Sequence, residues 1–321
     1  MRVLVTGGAG FVGSHLAEAL FWRGDDVRIV DCFSEYYDPA RKRGNLAAIA
    51  DSVELIEADL LVADLPALLD GVDLVFHQAG QPGVRLSWSD GFPAYDANNV
   101  LVTQRLLEAC RDHPLRRFVL AGSSSVYGEA ERYPTEEDDL PRPRSPYGIT
   151  KLAAEHLCSL YGAMWGVPTV SLRYFTVYGP RQRPDMAFHR LCEALLTGVP
   201  FPRFGDGSQI RDFTYVDDIV AANLAAATRD APPGSVINIA GGSSVSLAEV
   251  IALIEEIAGE PIPVEQHPVQ AGDVTRTGGS TERARSLLGW SPQVGLRDGL
   301  ERQLEWHRTH RDAPPVGERR S

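Results

Sequence analysis

The chain has 321 residues, 44% of them hydrophobic: enough for one large α/β domain or two smaller ones, and too apolar for a disordered chain. A net charge of -12, with Arg41-Lys42-Arg43 as the densest basic patch, excludes a nucleic-acid track. No apolar run reaches about 18 residues and the four cysteines (Cys32, Cys110, Cys158, Cys192) form no C-x-x-C, so no membrane partner and no metal site are expected, and a reducing cytoplasm is the expected compartment.

The first element is the β-branched run Arg2–Thr6. It runs into Gly7-Gly8-Ala9-Gly10-Phe11-Val12-Gly13, then a helical pattern through Leu16, Ala19 and Leu20, and no secretory leader is expected. A second strand, Asp26–Asp31, ends in an acid 18 residues beyond Gly13. Strand, glycine turn, helix, strand and acid make a dinucleotide-binding unit. The glycines admit a pyrophosphate, the turn's Phe11 and Val12 open the helix whose free N–H groups meet it, and Asp31 holds a ribose diol. A carboxylate there repels a 2′-phosphate, so NAD is expected over NADP, although Arg41 and Lys42 lie close enough to reverse that preference.

A third strand, Val53–Glu57, leads to Asp59 and Leu60, at the adenine side. The fourth, Asp73–His77, ends in Gln78-Ala79-Gly80, small enough to pass close to a ribose; His77 reads as a packed strand-end histidine. A long helix is expected from Phe92 to Cys110, carrying Asn98 and Asn99. The fifth strand, Phe118–Ala121, ends in the cluster Ser123-Ser124-Ser125, and the sixth, Thr169–Arg173, at Tyr174-Phe175-Thr176. This alternation argues α/β class, a doubly wound parallel sheet.

Between the fifth and sixth strands lies Ser145-Pro146-Tyr147-Gly148-Ile149-Thr150-Lys151. Ser145 suits an N-cap and Pro146 the first helical position. Tyr147 and Lys151 then share one helical face, where a fixed cation and the helix N-terminus are expected to ease ionisation of the phenol and make it a base. Beyond Gly179 the rhythm changes: one helix over Met186–Thr197, a strand at Ile210–Thr214, a helix over Asp217–Ala227, a main-sheet strand at Ser235–Ile239, then a mostly helical pattern and a polar tail, Asp312–Ser321, expected to fray. Two discontinuous domains are expected: residues 1–175 plus 212–245 for the dinucleotide, and 176–211 plus 246–321, smaller and mostly helical, for the substrate.

T-G-G-x-G-F-x-G, the acid after strand two, the serines after strand five and Y-x-x-x-K together resemble the extended short-chain dehydrogenases/reductases. Within that superfamily the chain is similar to nucleotide-sugar epimerases over nearly its whole length. Glu35-Tyr36-Tyr37-Asp38-Pro39, Gln81-Pro82-Gly83-Val84-Arg85 and Phe175 through Ala187 resemble the UDP-glucuronate 4-epimerases. The resemblance implies that Ser123 (or Ser124) bonds the sugar hydroxyl, that Tyr147 takes its proton, and that Lys151 holds the nicotinamide ribose. It implies a cofactor set of Gly7, Gly10, Phe11, Val12, Gly13, Asp31, Lys42, Asp59, Leu60, Gln78, Ala79, Gly80, Asn98, Tyr147, Lys151 and Tyr174. Ser124, Ser125, Thr176 and Arg183 would meet the sugar, with Arg183 clamping a carboxylate in competition with Arg181. Arg85, Arg211 and Arg276 would meet the diphosphate. Phe204 stands near uracil or in the loop core. Around Arg276 the chain departs from the family: Gln270-Ala271 replace an arginine, and Thr277-Gly278-Gly279-Ser280 a T-x-A-D. A homodimer through the helices at 92–110 and 145–164 is also implied. Sister dehydratases and decarboxylases carry a carboxylate where Ser124-Ser125 stand, which disfavours both; they stay as alternatives beside a 4-epimerase of neutral UDP-sugars and a non-catalytic NAD-binding protein.

Overall fold

The computed structural model describes residues 1–268 and 274–310; the expectations placed on residues 270–273 and on the tail from Asp312 lie outside them. In chain order the first half comprises β1 (Arg2–Thr6), α1 (Phe11–Trp22), β2 (Asp26–Asp31), α2 (Pro39–Asn45), β3 (Glu54–Glu57), α3 (Leu65–Leu69), β4 (Leu74–His77), α4 (Phe92–Tyr95), α5 (Val102–Arg111), β5 (Arg117–Ser123), α6 (Pro146–Trp165) and β6 (Thr169–Tyr174). There follow β7 (Thr176–Tyr178), α7 (Ala187–Thr197), β8 (Phe201–Phe204), β9 (Ile210–Tyr215), α8 (Val216–Thr228), β10 (Ser235–Ile239), β11 (Ser244–Ser246), α9 (Leu247–Ala258), β12 (Val264–His267), α10 (Glu282–Leu288) and α11 (Leu296–Thr309).

Alternation of side chains along the buried strands builds two cores. Leu4, Val30, Val75, Phe118 and Leu120 pack into one, and Val3, Val5, Ile29, Phe76 and Val119 into the other. Both faces of the sheet are therefore covered, as a parallel sheet requires. The seven strands run in the order β10-β6-β5-β4-β1-β2-β3, all parallel, with Val5 opposite both Ile29 and Phe76. This is the doubly wound Rossmann arrangement. Its strand order reverses at β1, so a crevice opens beyond the carboxyl ends of β1 and β4.

The expected helix over Phe92–Cys110 is interrupted. Between α4 and α5, residues Asp96–Leu101 adopt π-helical geometry. The extra residue per turn changes which side chains face inward: Asn99 is buried, whereas Asn98 is only half-buried and bonds back to the Ala94 carbonyl.

The strand at 210–215 leaves the main sheet. β9 pairs parallel with β7 and antiparallel with β11, and β8 pairs with β12. Tyr178, Phe188, Phe213 and Tyr215 form an aromatic cluster beside them, with ring centroids 4.5 Å apart for Phe188–Phe213 and 5.3 Å for Tyr178–Phe188. Gly299 lies within α11 because a Cβ there would stand 2.2 Å from the Tyr178 hydroxyl. Ser246 and Glu249 close a capping box on α9, fixing where that helix begins.

Candidate active site

The glycine turn is built for close approach. Gly7 has φ +66°, and a Cβ on it would lie 2.6 Å from the Ala79 nitrogen; one on Gly13 would lie 2.2 Å from the Gly7 carbonyl. No side chain caps α1, so the N–H groups of its first turn are left for an anion. At the tip of β2, Asp31 accepts hydrogen bonds from the Ala9 and Phe33 N–H groups and lies 3.5 Å from Lys42 Nζ. The ion pair with Asp31 offsets the cationic character of Lys42, whose ammonium also donates to Ser34.

One cavity gathers all sixteen residues expected to hold the dinucleotide, from Gly7 through Tyr174, together with Tyr36, Gln81 and Arg183. The glycine turn, the uncapped helix and the buried ribose-side acid fit NAD. Gly80 leaves room at the far end: a Cβ there would meet Asn99 Oδ1 at 2.7 Å and Lys151 Nζ at 3.1 Å.

α6 delivers Tyr147 and Lys151 as the sequence predicts. Ser145 accepts from the Gly148 N–H at 3.1 Å, and Pro146 opens the helix; such a cap is worth about 1 kcal/mol. Lys151 Nζ donates to the Ala121 carbonyl at 3.1 Å. Burial, and then the Arg183 charge, push its pKa down to about 8. Tyr147 corrects an expectation. Burial raises its pKa above the ordinary value, and the Ser123 hydrogen bond and the Arg183 charge oppose that rise without cancelling it. Taking the phenol out of water outweighs those influences.

Among the serines, Ser123 is buried, and its Oγ, besides the bond to Tyr147, accepts from the Ser125 N–H at 3.1 Å. Ser124 and Ser125 are half-buried in the turn that follows, as is Thr176 at the start of β7. The two candidate arginines separate cleanly. Arg181 turns to α1, donating to Glu18 at 2.7 Å, whereas Arg183 lines the cavity and pairs with both oxygens of Asp185 at 3.0 Å.

The expected diphosphate and uracil residues stand outside this cavity. The Arg85 guanidinium covers the Phe204 ring at 4.5 Å from its centroid, with His267 nearby at 5.3 Å. Arg211 donates to the Ile210 carbonyl, and Arg276 stacks on Tyr133 at 4.8 Å. His77 is a packed strand-end residue, with Thr6 Oγ1 2.7 Å from Nδ1 and Thr103 Oγ1 3.1 Å from Nε2. Among the described residues His189, Glu193 and His307 bring possible ligand atoms within 4.8 Å of one another, but none lines the cavity and Arg41 is close enough to act electrostatically on both imidazoles.

Several site residues escaped the sequence reading. Asn99, rather than Asn98, organises the interior: Oδ1 accepts from the Gln81 N–H, while Nδ2 donates to the Gln81 carbonyl and to Thr150 Oγ1. Asn223 on α8 exchanges hydrogen bonds with the Tyr174 hydroxyl and receives one from Gln78 Nε2. Tyr95 packs edge-on against Tyr147 at 6.1 Å. The doubled Asn98-Asn99 was the one available signal; the other contacts join residues far apart in the chain.

A Rossmann sheet, a dinucleotide cradle and a Tyr–Lys pair at one cavity define a nicotinamide-dependent enzyme of the extended short-chain dehydrogenase/reductase class. The chain belongs to the NAD dependent epimerase/dehydratase family, whose model matches residues 3–240. It is 44% identical to the uncharacterised UDP-glucose epimerase YtcB of Bacillus subtilis, over 95% of this chain and 98% of that one. The UDP-glucuronic acid 4-epimerase of Bacillus cereus, solved with UDP-glucuronic acid and NAD, superposes with a TM-score of 0.93 at 44% identity, covering 96% of this chain and 99% of that one. MoeE5, solved with NAD and either UDP-glucuronic acid or UDP-glucose, superposes at 0.88 with 44% identity and the same coverage.

Proposed function

We propose that this chain is an NAD-dependent isomerase that inverts C4 of UDP-glucuronate to give UDP-galacturonate. The observation that carries the reading is the meeting of Tyr147, Lys151 and Arg183 in the cavity that holds the glycine turn. The B. cereus enzyme, similar over nearly the whole chain, supports the substrate assignment.

When bound, NAD would supply the hydride acceptor and donor. Ser123 and Tyr147 bond the 4-hydroxyl, and Tyr147 takes its proton as the 4-keto sugar forms and returns it to the epimer. Lys151 holds the nicotinamide ribose. Arg183 anchors the C6 carboxylate, keeping the C5–C6 bond out of line with the 4-carbonyl and so limiting loss of CO2 from a β-keto acid. Ser124, Ser125 and Thr176 complete the sugar pocket. Arg85, Arg211, Arg276 and Phe204 serve the UDP moiety only if side chains such as Arg85 leave their present contacts. In this reading residues 1–175 and 212–245 hold NAD, and 176–211 with 246–321 hold the nucleotide sugar.

Four free thiols, three of them buried, suit a cytoplasmic setting, and among the described residues no helix is long and apolar enough to cross a membrane. Pairing of two chains through α5, α6 and the π segment would cover exposed Leu101, Leu160, Met164 and Trp165.

The test is incubation of the purified chain with UDP-glucuronate and chromatography of the products. UDP-galacturonate without net NAD consumption is expected. A UDP-pentose with CO2 would replace epimerisation by decarboxylation. Turnover confined to UDP-glucose would favour the neutral-sugar reading, which the UDP-glucose complex of MoeE5 keeps in play. Sedimentation equilibrium on the same preparation checks the dimer, and a one-chain mass would remove it.

A further inference from the structure

The Arg183 guanidinium is held side-on. Its Nε donates to Asp185 Oδ1 and its NH2 to Oδ2, each at 3.0 Å. Of the five N–H donors of a guanidinium, this pair uses one on Nε and one on NH2. Among the described residues no further hydrogen bond takes the protons of NH1 or the second on NH2, which form the end-on fork that matches a second carboxylate.

Asp185 is itself anchored. The Met186 N–H bonds to the Arg183 carbonyl, folding residues 183–186 into a turn that brings Asp185 back beside the arginine. Tyr36, on the segment after β2, donates to Asp185 Oδ2 at 3.4 Å. Gly83 has no side chain to interfere: a Cβ there would lie 2.6 Å from the Tyr36 hydroxyl and 3.5 Å from that of Tyr95. Tyr36 and Arg183 both line the cavity. The turn after β7 is thereby tied to the loop after β2.

We propose that Asp185 is a positioning and specificity residue, bracing Arg183 side-on so that its end-on fork is presented to the substrate's carboxylate. The inference rests on the reading of Arg183 as carboxylate anchor. Asp185 is the obvious rival for the same cation, and the two possibilities predict opposite signs. A competitor, once removed, frees the arginine and strengthens uronate binding. A brace, once removed, lets the guanidinium swing, weakens uronate binding and loosens control of the C5–C6 bond.

The experiment compares the full-length chain with Asp185→Asn, using UDP-glucuronate labelled at C6 to count CO2 released per turnover. UDP-glucose serves as a neutral inhibitor, so its Ki reports the rest of the pocket. Expected for Asp185→Asn is a KM for UDP-glucuronate raised about tenfold, the worth of one charge-assisted hydrogen bond, with the Ki for UDP-glucose within about twofold of the native value. The fraction of turnovers releasing CO2 rises with it. Tyr36→Phe shifts both quantities in the same direction by less. A lowered KM would overturn the brace in favour of competition; equal losses on both sugars, or an unchanged CO2 fraction, would reduce Asp185 to a structural residue. Arg183→Ala separates the two levels. If it costs uronate binding while Asp185→Asn changes nothing, the brace alone fails. If it changes nothing, the anchor fails and the brace with it.

Discussion

The phenol of Tyr147 stands between opposing influences. Burial holds its proton on, while the Ser123 hydrogen bond and the Arg183 charge draw it off. Both of the latter touch the proposed reaction directly, since one orients the sugar hydroxyl and the other anchors its carboxylate. Tyr147→Phe keeps the ring against Tyr95 and removes only the proton carrier. Turnover of UDP-glucuronate is expected to fall by roughly 10²–10⁴-fold, the usual contribution of a positioned acid–base group, with NAD still bound. Unchanged turnover in a stopped assay, with NAD occupancy measured by fluorescence, would remove Tyr147 from the mechanism. The tyrosine, the lysine and the glycine turn were legible in the sequence because their chemistry needs fixed residue types at fixed local spacing. The grip of Asn99 on Gln81, of Asn223 on Tyr174 and of Arg85 on Phe204 was not, because each joins distant segments. The direction of the Tyr147 shift was missed for a related reason: spacing shows a neighbouring cation but not the loss of water.

At the level of the element, α6 carries a third residue on the face that bears Tyr147 and Lys151. Glu155, one further turn along, accepts from Arg173 Nε at 2.7 Å and NH2 at 2.6 Å. Arg173 NH1 also reaches the Tyr127 hydroxyl and the Glu137 carbonyl, and Tyr127 donates to Asn238. Both members of the pair are buried, and Arg173 immediately precedes Tyr174 of the cavity. The pair thus fixes the pitch of α6 against β6 close to where proton transfer would occur. Breaking a buried pair leaves one charge unpaired, so Arg173→Met is expected to cost about 3–5 kcal/mol in urea unfolding. The double variant Glu155→Leu with Arg173→Met should recover most of that loss, because neither charge is then stranded. A double variant no more stable than the single would show that the wider network around Tyr127, and not the ion pair, carries the energy. Helical periodicity placed α6 correctly, yet it was silent on the π segment at Asp96–Leu101, where Asn99 is held by tertiary hydrogen bonds to Gln81 and Thr150.

Over the whole molecule, folding buries imidazoles in their neutral form. Burial is the leading cause that lowers His77 to about 3 and His15, His189 and His307 to about 4, against an ordinary 6.5. Between pH 6.5 and about 4 the unfolded chain therefore binds protons that the folded chain does not. Stability falls as pH drops through that window, by about 1.4 kcal/mol per pH unit for each histidine fully titrating only in the unfolded state. Asp212 works in the other sense. Burial raises it to about 7 even though it accepts from the Gly241 N–H, so from pH 3.8 to 7 the folded state holds a proton that the unfolded state has lost, and its contribution shrinks as pH rises. Burial raises Asp217 as well, and two carboxyls against four histidines leave the histidines dominant. Urea unfolding at steps from pH 7 to pH 4.5 should show a monotonic loss of stability, and His77→Gln should flatten the slope by about one proton's worth, 1.4 kcal/mol per unit. A level profile, or a slope that His77→Gln leaves untouched, would mean that the folded chain accepts those protons by opening its interior to water, and that the two cores flanking the sheet are less closed at acid pH than their packing implies.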